Sequence, residues 1–205
     1  MSIYSADDFQ AATNVSRETL ADLRRYAALL DKWQKAINLV GKSTLPDLWQ
    51  RHMLDSHQLL ELTEKKSGTW LDLGSGAGFP ALVIAICSEF DVHAVESDQR
   101  KCLFMQNVSR GTLGSFTVHN QRIENLSPMT ADIISARALA PLDRLLEYAA
   151  PFSHEETEFL FLKGQDVDEE LTNASKCWSM DLEKHSSVTS MDGCLLKLSK
   201  VRRLS

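Results

Sequence analysis

WLDLGSGAGFPAL, residues 70 to 82, is the stretch on which the reading of the whole chain turns. An apolar run leads into glycines at alternate positions, Gly74, Gly76 and Gly78, and a second apolar run follows at helical spacing. Glycine lets a chain turn tightly after a strand and lets a ligand rest against bare backbone, beside the positive N-terminus of the next helix. Strand, glycine loop and helix together predict a nucleotide-like ligand; the rival reading is a tight turn with nothing bound. The dinucleotide fingerprint needs its third glycine five positions after the first, where Phe79 stands, and a Walker loop needs a terminal Gly-Lys-Ser/Thr that is absent. A nicotinamide-dependent oxidoreductase is therefore the weakest assignment.

Working outward, TWLDLG, DVHAVES, SFTVHN, ADIISAR, EFLFLKG and GCLLKLSKV read as strands, several of them apolar on successive residues as strands buried on both faces must be. FPALVIAICSEF, SDQRKCLFMQNVSR and APLDRLLEYAAP read as helices between them. Residues Val167 to Val188 are expected to hold a helix after Asp166 and a strand around Ser186 to Thr189. This alternation predicts an α/β fold with a mostly parallel seven-stranded sheet and helices on both faces. Upstream, Leu20, Leu23, Ala27, Leu30, Trp33 and Ile37 recur at three- and four-residue steps, predicting an amphipathic helix ended by Gly41. A second helix, capped by Ser43 or Thr44 with Pro46 in its first turn, is expected to run to about Leu62. Residues 1–66 thus form an N-terminal helical extension packed on a core of residues 67–205, in one compact domain.

Composition sets the outer limits. Hydrophobic residues at 43% and charged residues at 24% of 205 suit a globular chain rather than a disordered or collagen-like one. No apolar run approaches the roughly 20 residues that span a bilayer, and MSIYSADDFQ carries acids where an export signal carries basic charge, so a cytoplasmic protein with no membrane partner is expected. Cys87, Cys102, Cys177 and Cys194 form no CxxC pair and are expected mostly as small buried hydrophobes. The formal net charge of −6 argues mildly against a chain that coats nucleic acid, although local basic patches can still bind RNA.

The spacing Asp72-x-Gly74-x-Gly76-x-Gly78 resembles the first motif of S-adenosylmethionine-dependent methyltransferases. Glu96, 22 residues after Gly74 at the end of the next apolar run, stands where a carboxylate can accept hydrogen bonds from ribose hydroxyls. Phe79 can pack against a ligand, and Pro80 presets a helical turn. The place after the fourth expected strand reads SARALAPL, without the Asn/Asp-Pro-Pro-aromatic loop of amino-group DNA methylases, and no cysteine follows a proline as in cytosine-C5 enzymes. Arg137 stands there instead, at the ligand crevice of an open α/β sheet, unless it is engaged in a salt bridge with a helix acid such as Glu147.

RHMLDS (Arg51 to Ser56), LDLGSGAGFPAL, SARALAPL and FLKGQ (Phe161 to Gln165), with KWQKAINL (Lys32 to Leu39), occur in an order and spacing that resembles the bacterial glucose-inhibited division protein B family over nearly the whole chain. Two positions depart from its pattern: Ala81 replaces the glycine after the loop proline, and Ala136 the serine of a Ser-Arg-Ala triplet. The resemblance implies a Rossmann-like S-adenosylmethionine-dependent methyltransferase fold and methylation of guanine N7 in the 530 loop, position 527, of 16S rRNA. The substrate would be that RNA within the small ribosomal subunit or an assembly intermediate, and the enzyme a monomer. It implies cofactor contacts at Gly74, Phe79, Ile123, Glu124 and Arg137, added to Asp72, Gly76, Gly78 and Glu96 of the glycine-loop reading. Arg122 and Lys163 would be cations at the mouth of the same crevice, where they and the Arg51-His52 pair could meet substrate.

Guanine N7 carries a lone pair and no proton, so no catalytic base is expected; Arg137 and Lys163 would act by positioning. His52 and Asp55 could meet on one helix face as a joint between the N-terminal helices and the crevice, with Arg51 reaching Asp55 as the plainer alternative. No third and fourth ligand accompanies them, so no metal is expected. Scattered cations, Arg24, Arg25, Arg51, Arg122, Lys163, Arg202 and Arg203, are the candidates for phosphate contacts. Competing functions are a methyltransferase acting on a protein or small molecule, and an S-adenosylmethionine-binding ribosome-assembly factor without turnover.

Overall fold

The computed structural model describes residues 4–110 and 116–204, so Met1–Ile3, and Ser115 at the head of the third expected strand, lie outside the described residues. Among the described residues seven strands, β1 (Thr69–Leu73), β2 (Asp91–Glu96), β3 (Phe116–Asn120), β4 (Ile133–Arg137), β5 (Glu158–Lys163), β6 (Trp178–Ser186) and β7 (Cys194–Arg203), build one sheet in the order β3-β2-β1-β4-β5-β7-β6. Neighbours are parallel except at β7, which is antiparallel to both β5 and β6. Chain order reverses between β1 and β4, and a ligand crevice in such sheets opens above the strand ends at that switch point.

Side-chain alternation divides two cores. Trp70, Leu160 and Leu162 face the layer made by α2 (Arg17–Gln34), α4 (Ala81–Cys87) and α5 (Gln99–Ser109). Leu71, Leu73, Phe159 and Phe161 face α6 (Leu142–Ala149) and α7 (Val167–Ala174). Phe9, Leu23, Tyr26 and Leu30 of the N-terminal helices join the first core alongside Leu82, Val83 and Ile84. Trp70 and Phe104 are fully buried there, where truncation to alanine typically costs about 3–5 kcal/mol.

The N-terminal layer departs from the expected pair of regular helices. Helix α1 (Ala6–Thr13) is an addition to that pair, and Ser5 and Asp8 form a reciprocal capping box at its start. Helix α2 stops at Gln34, short of Gly41, because the Gln34 side chain captures the following segment: its Oε1 accepts from the Leu39 and Val40 amides at 2.9 and 3.0 Å and its Nε2 donates to the Val40 carbonyl at 2.9 Å. Ile37 therefore lies in a turn. The expected helix from residue 43 begins later and is irregular: a π-helical turn (Trp49–Leu54), a short α3 (Asp55–His57) and a 3₁₀ turn (Gln58–Glu61). Thr44 cannot cap it, since its hydroxyl donates to the Gly41 carbonyl at 2.9 Å and meets His52 Nε2 at 2.8 Å.

Strand β6 also corrects the expectation, occupying Trp178–Ser186 rather than the neighbourhood of Ser186 to Thr189. It is an edge strand, mostly exposed and charged at Asp181, Glu183 and Lys184, so it carries no alternating apolar signal. Residues 187–193 link it to β7, and the pairing of Ser186 with Cys194 and of Cys194 with Lys163 sets this loop at the crevice end of the sheet. The same register carries Arg202 and Arg203 to the opposite end of the sheet, away from the crevice. Of the cysteines, Cys102 and Cys194 are buried, Cys87 is intermediate and Cys177 exposed. No helix among the described residues is long and apolar enough to cross a membrane.

Candidate active site

A cleft of about 430 Å³ opens above the ends of β1, β2 and β4. Gly74, Gly76 and Phe79 of the loop, Glu96, Arg122, Ile123 and Glu124, and Arg137 all stand on its wall. The loop is pinned to β2 by the Ser75 amide, which donates to the Val95 carbonyl at 3.0 Å, and closes on itself through the Gly78 amide and the Ser75 carbonyl at 2.7 Å. At Gly76, with φ +57°, a β-carbon would meet only the Gly74 carbonyl at 3.9 Å, so bare backbone faces the open cleft and can cradle a ligand. Gly78, with φ +93°, is different: a side chain there would strike Leu82, and the residue serves the turn rather than the cleft wall.

Glu96 is already engaged. Its Oε2 accepts from the Gly76 amide at 3.0 Å and its Oε1 from the Asp98 amide at 2.8 Å, which ties the glycine loop to the start of α5. Each carboxylate oxygen has a second lone pair, so the group remains able to accept two ribose hydroxyls.

Asp72 is not on the cleft wall. It is fully buried under the loop, where Oδ1 accepts from Ser135 Oγ at 2.7 Å, and Ser135 in turn accepts from Trp70 Nε1 at 2.8 Å. Oδ2 has no well-formed hydrogen bond, and burial pushes the carboxyl up to about 6. Because the folded state holds its proton more tightly than the unfolded chain, this group costs stability as pH rises from about 4 to about 6, and the cost is constant above that. The Asp72→Asn variant is expected to gain melting temperature relative to the parent across that range, in calorimetric scans at several pH values; a difference independent of pH would show that Asp72 is not perturbed.

Arg137 is held from three directions. Its Nη2 lies 2.9 Å from His52 Nδ1, its Nη1 donates to the Arg51 carbonyl at 3.3 Å and lies 3.7 Å from Asp55 Oδ2, and its guanidinium sits 5.2 Å over the Phe79 ring. The suggested partner Glu147 is instead paired with Arg144 and Arg203. Since a guanidinium only donates, His52 Nδ1 must accept, which fixes the Nε2–H tautomer that donates to Thr44 Oγ1. His52 and Asp55 therefore meet through Arg137 and not directly. The π turn makes i→i+5 bonds, and this wider winding separates two side chains that regular helical spacing would bring together.

Burial, then the charges of Arg137 and Arg51, depress His52 to about 3. The unfolded chain binds a proton here that the folded state refuses, so this contribution to stability is complete above about 6.5 and is lost as pH falls toward 3. The melting temperature is expected to drop more steeply between pH 6 and 4 than in His52→Gln, which cannot titrate; parallel profiles would remove His52 as the cause.

A second hollow of about 890 Å³ adjoins the first, with Arg137, Ala138 and Leu139 as the common wall. Arg51, His52, Asp55 and Lys163 line it, and so do Thr189 and Asp192 from the loop 187–193. That loop docks on Asp55 Oδ1, which accepts from Thr189 Oγ1 at 2.6 Å, and on Gln58 Oε1, which accepts from the Val188 amide at 2.8 Å. Lys163 is not the free cation expected at the crevice mouth: its ammonium is buried, donates to the Ala140 carbonyl at 3.0 Å and pairs with Glu170, which also accepts from the Leu142 amide. It fixes the start of α6.

Sequence reasoning missed Tyr26, whose ring stacks on Phe79 at 5.0 Å and whose hydroxyl donates to the Ala77 carbonyl at 2.8 Å. It also missed Lys101, Gln121, Leu139 and Tyr148 on the cleft wall. Among the described residues no group of three or more His, Cys, Asp or Glu is placed to hold a metal ion.

Residues 19–198, which carry all of this geometry, match the family model described as GidB, rRNA small subunit methyltransferase G. The chain belongs to this family. A ribosomal RNA small subunit methyltransferase G of Parvibaculum lavamentivorans is 52% identical over 202 residues, covering 96% of this chain and 89% of the relative. The Paramagnetospirillum magneticum protein of the same name is 51% identical, covering 96% of each chain. In fold, the chain resembles an S-adenosylmethionine-dependent methyltransferase from Aquifex aeolicus with a TM-score of 0.58 at 16% identity, over 76% of this chain and 93% of that one. The TYW2 protein of M. jannaschii, solved in complex with AdoMet, gives 0.56 at 11% identity over 74% and 77% of the two chains. These likenesses establish the Rossmann-like methyltransferase fold, and S-adenosylmethionine is the cofactor of the class.

Proposed function

We propose that this protein transfers a methyl group from S-adenosylmethionine to small-subunit ribosomal RNA, and that the acceptor is N7 of a guanine in the 530 loop, position 527, of 16S rRNA. The observation that carries the reading is the junction of the two hollows at Arg137, Ala138 and Leu139: there a cleft of about 430 Å³ beside the glycine loop and Glu96 meets a larger space able to receive a nucleobase. The names of the relatives support the RNA substrate.

The cleft fits the cofactor. Glu96 would accept the ribose hydroxyls, the bare backbone at Gly76, beside Gly74 that Leu139 covers, would lie along the ligand, and Ile123 with Glu124 would face the adenine edge. Bound there, S-adenosylmethionine supplies a methyl group activated on a sulfonium sulfur. The residues at the junction would act by geometry, holding the base with N7 turned toward the cofactor cleft. With the cofactor bound, the N7 lone pair would take the methyl carbon as the carbon–sulfur pair returned to sulfur, leaving the positive charge on the base. No proton moves, which suits a junction where His52 has both nitrogens engaged. Asp55 and Asp192 on the second hollow are compatible with a cationic product. The target base must leave its stack to enter.

As further parts of this proposal, the enzyme acts as a cytoplasmic monomer on the small subunit or an assembly intermediate, with residues 1–66 as an extension on the catalytic core. Labelled methyl transfer to small subunits lacking the modification, followed by nucleoside mass spectrometry, tests it. Appearance of 7-methylguanosine is expected; cofactor binding without RNA methylation would favour an assembly factor or a protein substrate.

A further inference from the structure

Four cations, of which only Lys101 also lines the cofactor cleft, converge on one side of it. Lys35 and Lys42 flank the segment that follows α2, and Arg100 and Lys101 begin α5; with Asn38 they surround a hollow of about 280 Å³. This hollow shares Asn38 and Lys42 with a shallow one beneath residues 38–42, which in turn shares Leu39 with the cofactor cleft and Gly41 with the base hollow. Shared lining residues thus set the four spaces side by side, as a furrow running from Lys35 toward the junction at Arg137.

We propose that this furrow is the bed of the single-stranded RNA backbone flanking the target base, an assignment that rests on the ribosomal RNA reading above. Among the described residues, no carboxylate forms a salt bridge with Lys42 or Lys101, while Lys35 meets Asp31 at 3.4 Å and Arg100 meets Asp98 at 3.0 Å. Four cations against two acids leave a local excess of positive charge on a chain whose formal charge is −6. That reversal is the footprint of a phosphate-binding stripe. The bed is also preformed: the Gln34 side chain clasps Leu39 and Val40 at one end, and the Thr44 hydroxyl bonds Gly41 and His52 at the other. A fixed backbone loses little entropy when the strand settles on it. The His52 link continues to Arg137, so the bed and the junction form one hydrogen-bonded unit.

The test is the triple variant Lys35→Glu, Lys42→Glu, Arg100→Glu, all exposed positions, with Lys101 kept because it also lines the cofactor cleft. Labelled single-stranded RNA is titrated by fluorescence anisotropy at several salt concentrations, and S-adenosylmethionine affinity is measured separately by calorimetry. RNA affinity is expected to fall about tenfold or more, and the slope of log affinity against log salt to flatten by about 2, as loss of three phosphate contacts on a single strand requires. Cofactor affinity should not change, and Arg202→Glu at the far end of the sheet should match the parent. Equal RNA affinity and slope in the triple variant and parent would overturn the furrow alone. A parent that binds no single-stranded RNA would overturn the furrow, while methyl transfer to small subunits decides the catalytic reading separately. A salt-sensitive parent, weakened by the triple change yet unable to methylate RNA, would sustain the furrow and remove the catalytic assignment.

Discussion

Replacing Arg137 with alanine is expected to lower kcat/KM by about a hundredfold, with most of the loss in kcat. The guanidinium is the common partner of His52, the Arg51 carbonyl, Asp55 and the Phe79 ring, and it forms the wall between cofactor cleft and base hollow. Removing one member of a buried pair costs about 3–5 kcal/mol, chiefly because the other charge is stranded. The Arg137 and Asp55 side chains are 20% and 18% exposed, so solvent screening places the effect at the lower end of that range. Arg137→Lys keeps a charge but loses the planar fork that serves several partners at once, and it should recover only part of the activity. Steady-state kinetics with RNA substrate, together with cofactor affinity by calorimetry, checks both. Unchanged cofactor affinity and turnover in Arg137→Ala would refute the role assigned to this residue.

Glu96→Ala should weaken S-adenosylmethionine binding by about a hundredfold. The carboxylate spans the Gly76 and Asp98 amides, and hydrogen bonds to a charged acceptor contribute about 1.5–3 kcal/mol each. Its removal releases the glycine loop from α5 and also deletes the expected ribose acceptor. Glu96→Gln retains one acceptor oxygen and shape, so a loss of roughly tenfold is expected from charge alone. Calorimetric titration of the three proteins would show the order; equal affinities would place the ribose elsewhere.

Much of the fold is legible in the sequence because parallel strands buried on both faces leave nearly continuous apolar runs. EFLFLK and the β1 residues Thr69–Leu73 announce themselves in this way, and the glycines after β1 mark where the chain turns into α4. What escapes has physical reasons. An exposed edge strand such as β6 needs no apolar face, so Trp178–Ser186 carries no pattern. The π turn at Trp49–Leu54 changes the helical period that residue spacing assumes, which is why spacing alone brings His52 and Asp55 into contact. Lys163 and Arg137 are both cations near one sheet end, and only packing distinguishes the one bound up with Glu170 and Ala140 from the one shared by two hollows. Tyr26 lies within a helical apolar pattern whose core function hides its hydroxyl bond to Ala77.

The docking of residues 187–193 on Asp55 bears on how the protein is made. Thr189 and Asp55 are 134 residues apart, so during synthesis the N-terminal layer, the glycine loop and the strands β1 to β6 leave the ribosome before the last wall of the base hollow exists. Domains emerge and fold from the N-terminal side at about 5–20 residues per second. A nascent chain can thus complete its cofactor cleft while the space for a nucleobase is still open, and catalytic competence arrives only as β7 closes the sheet.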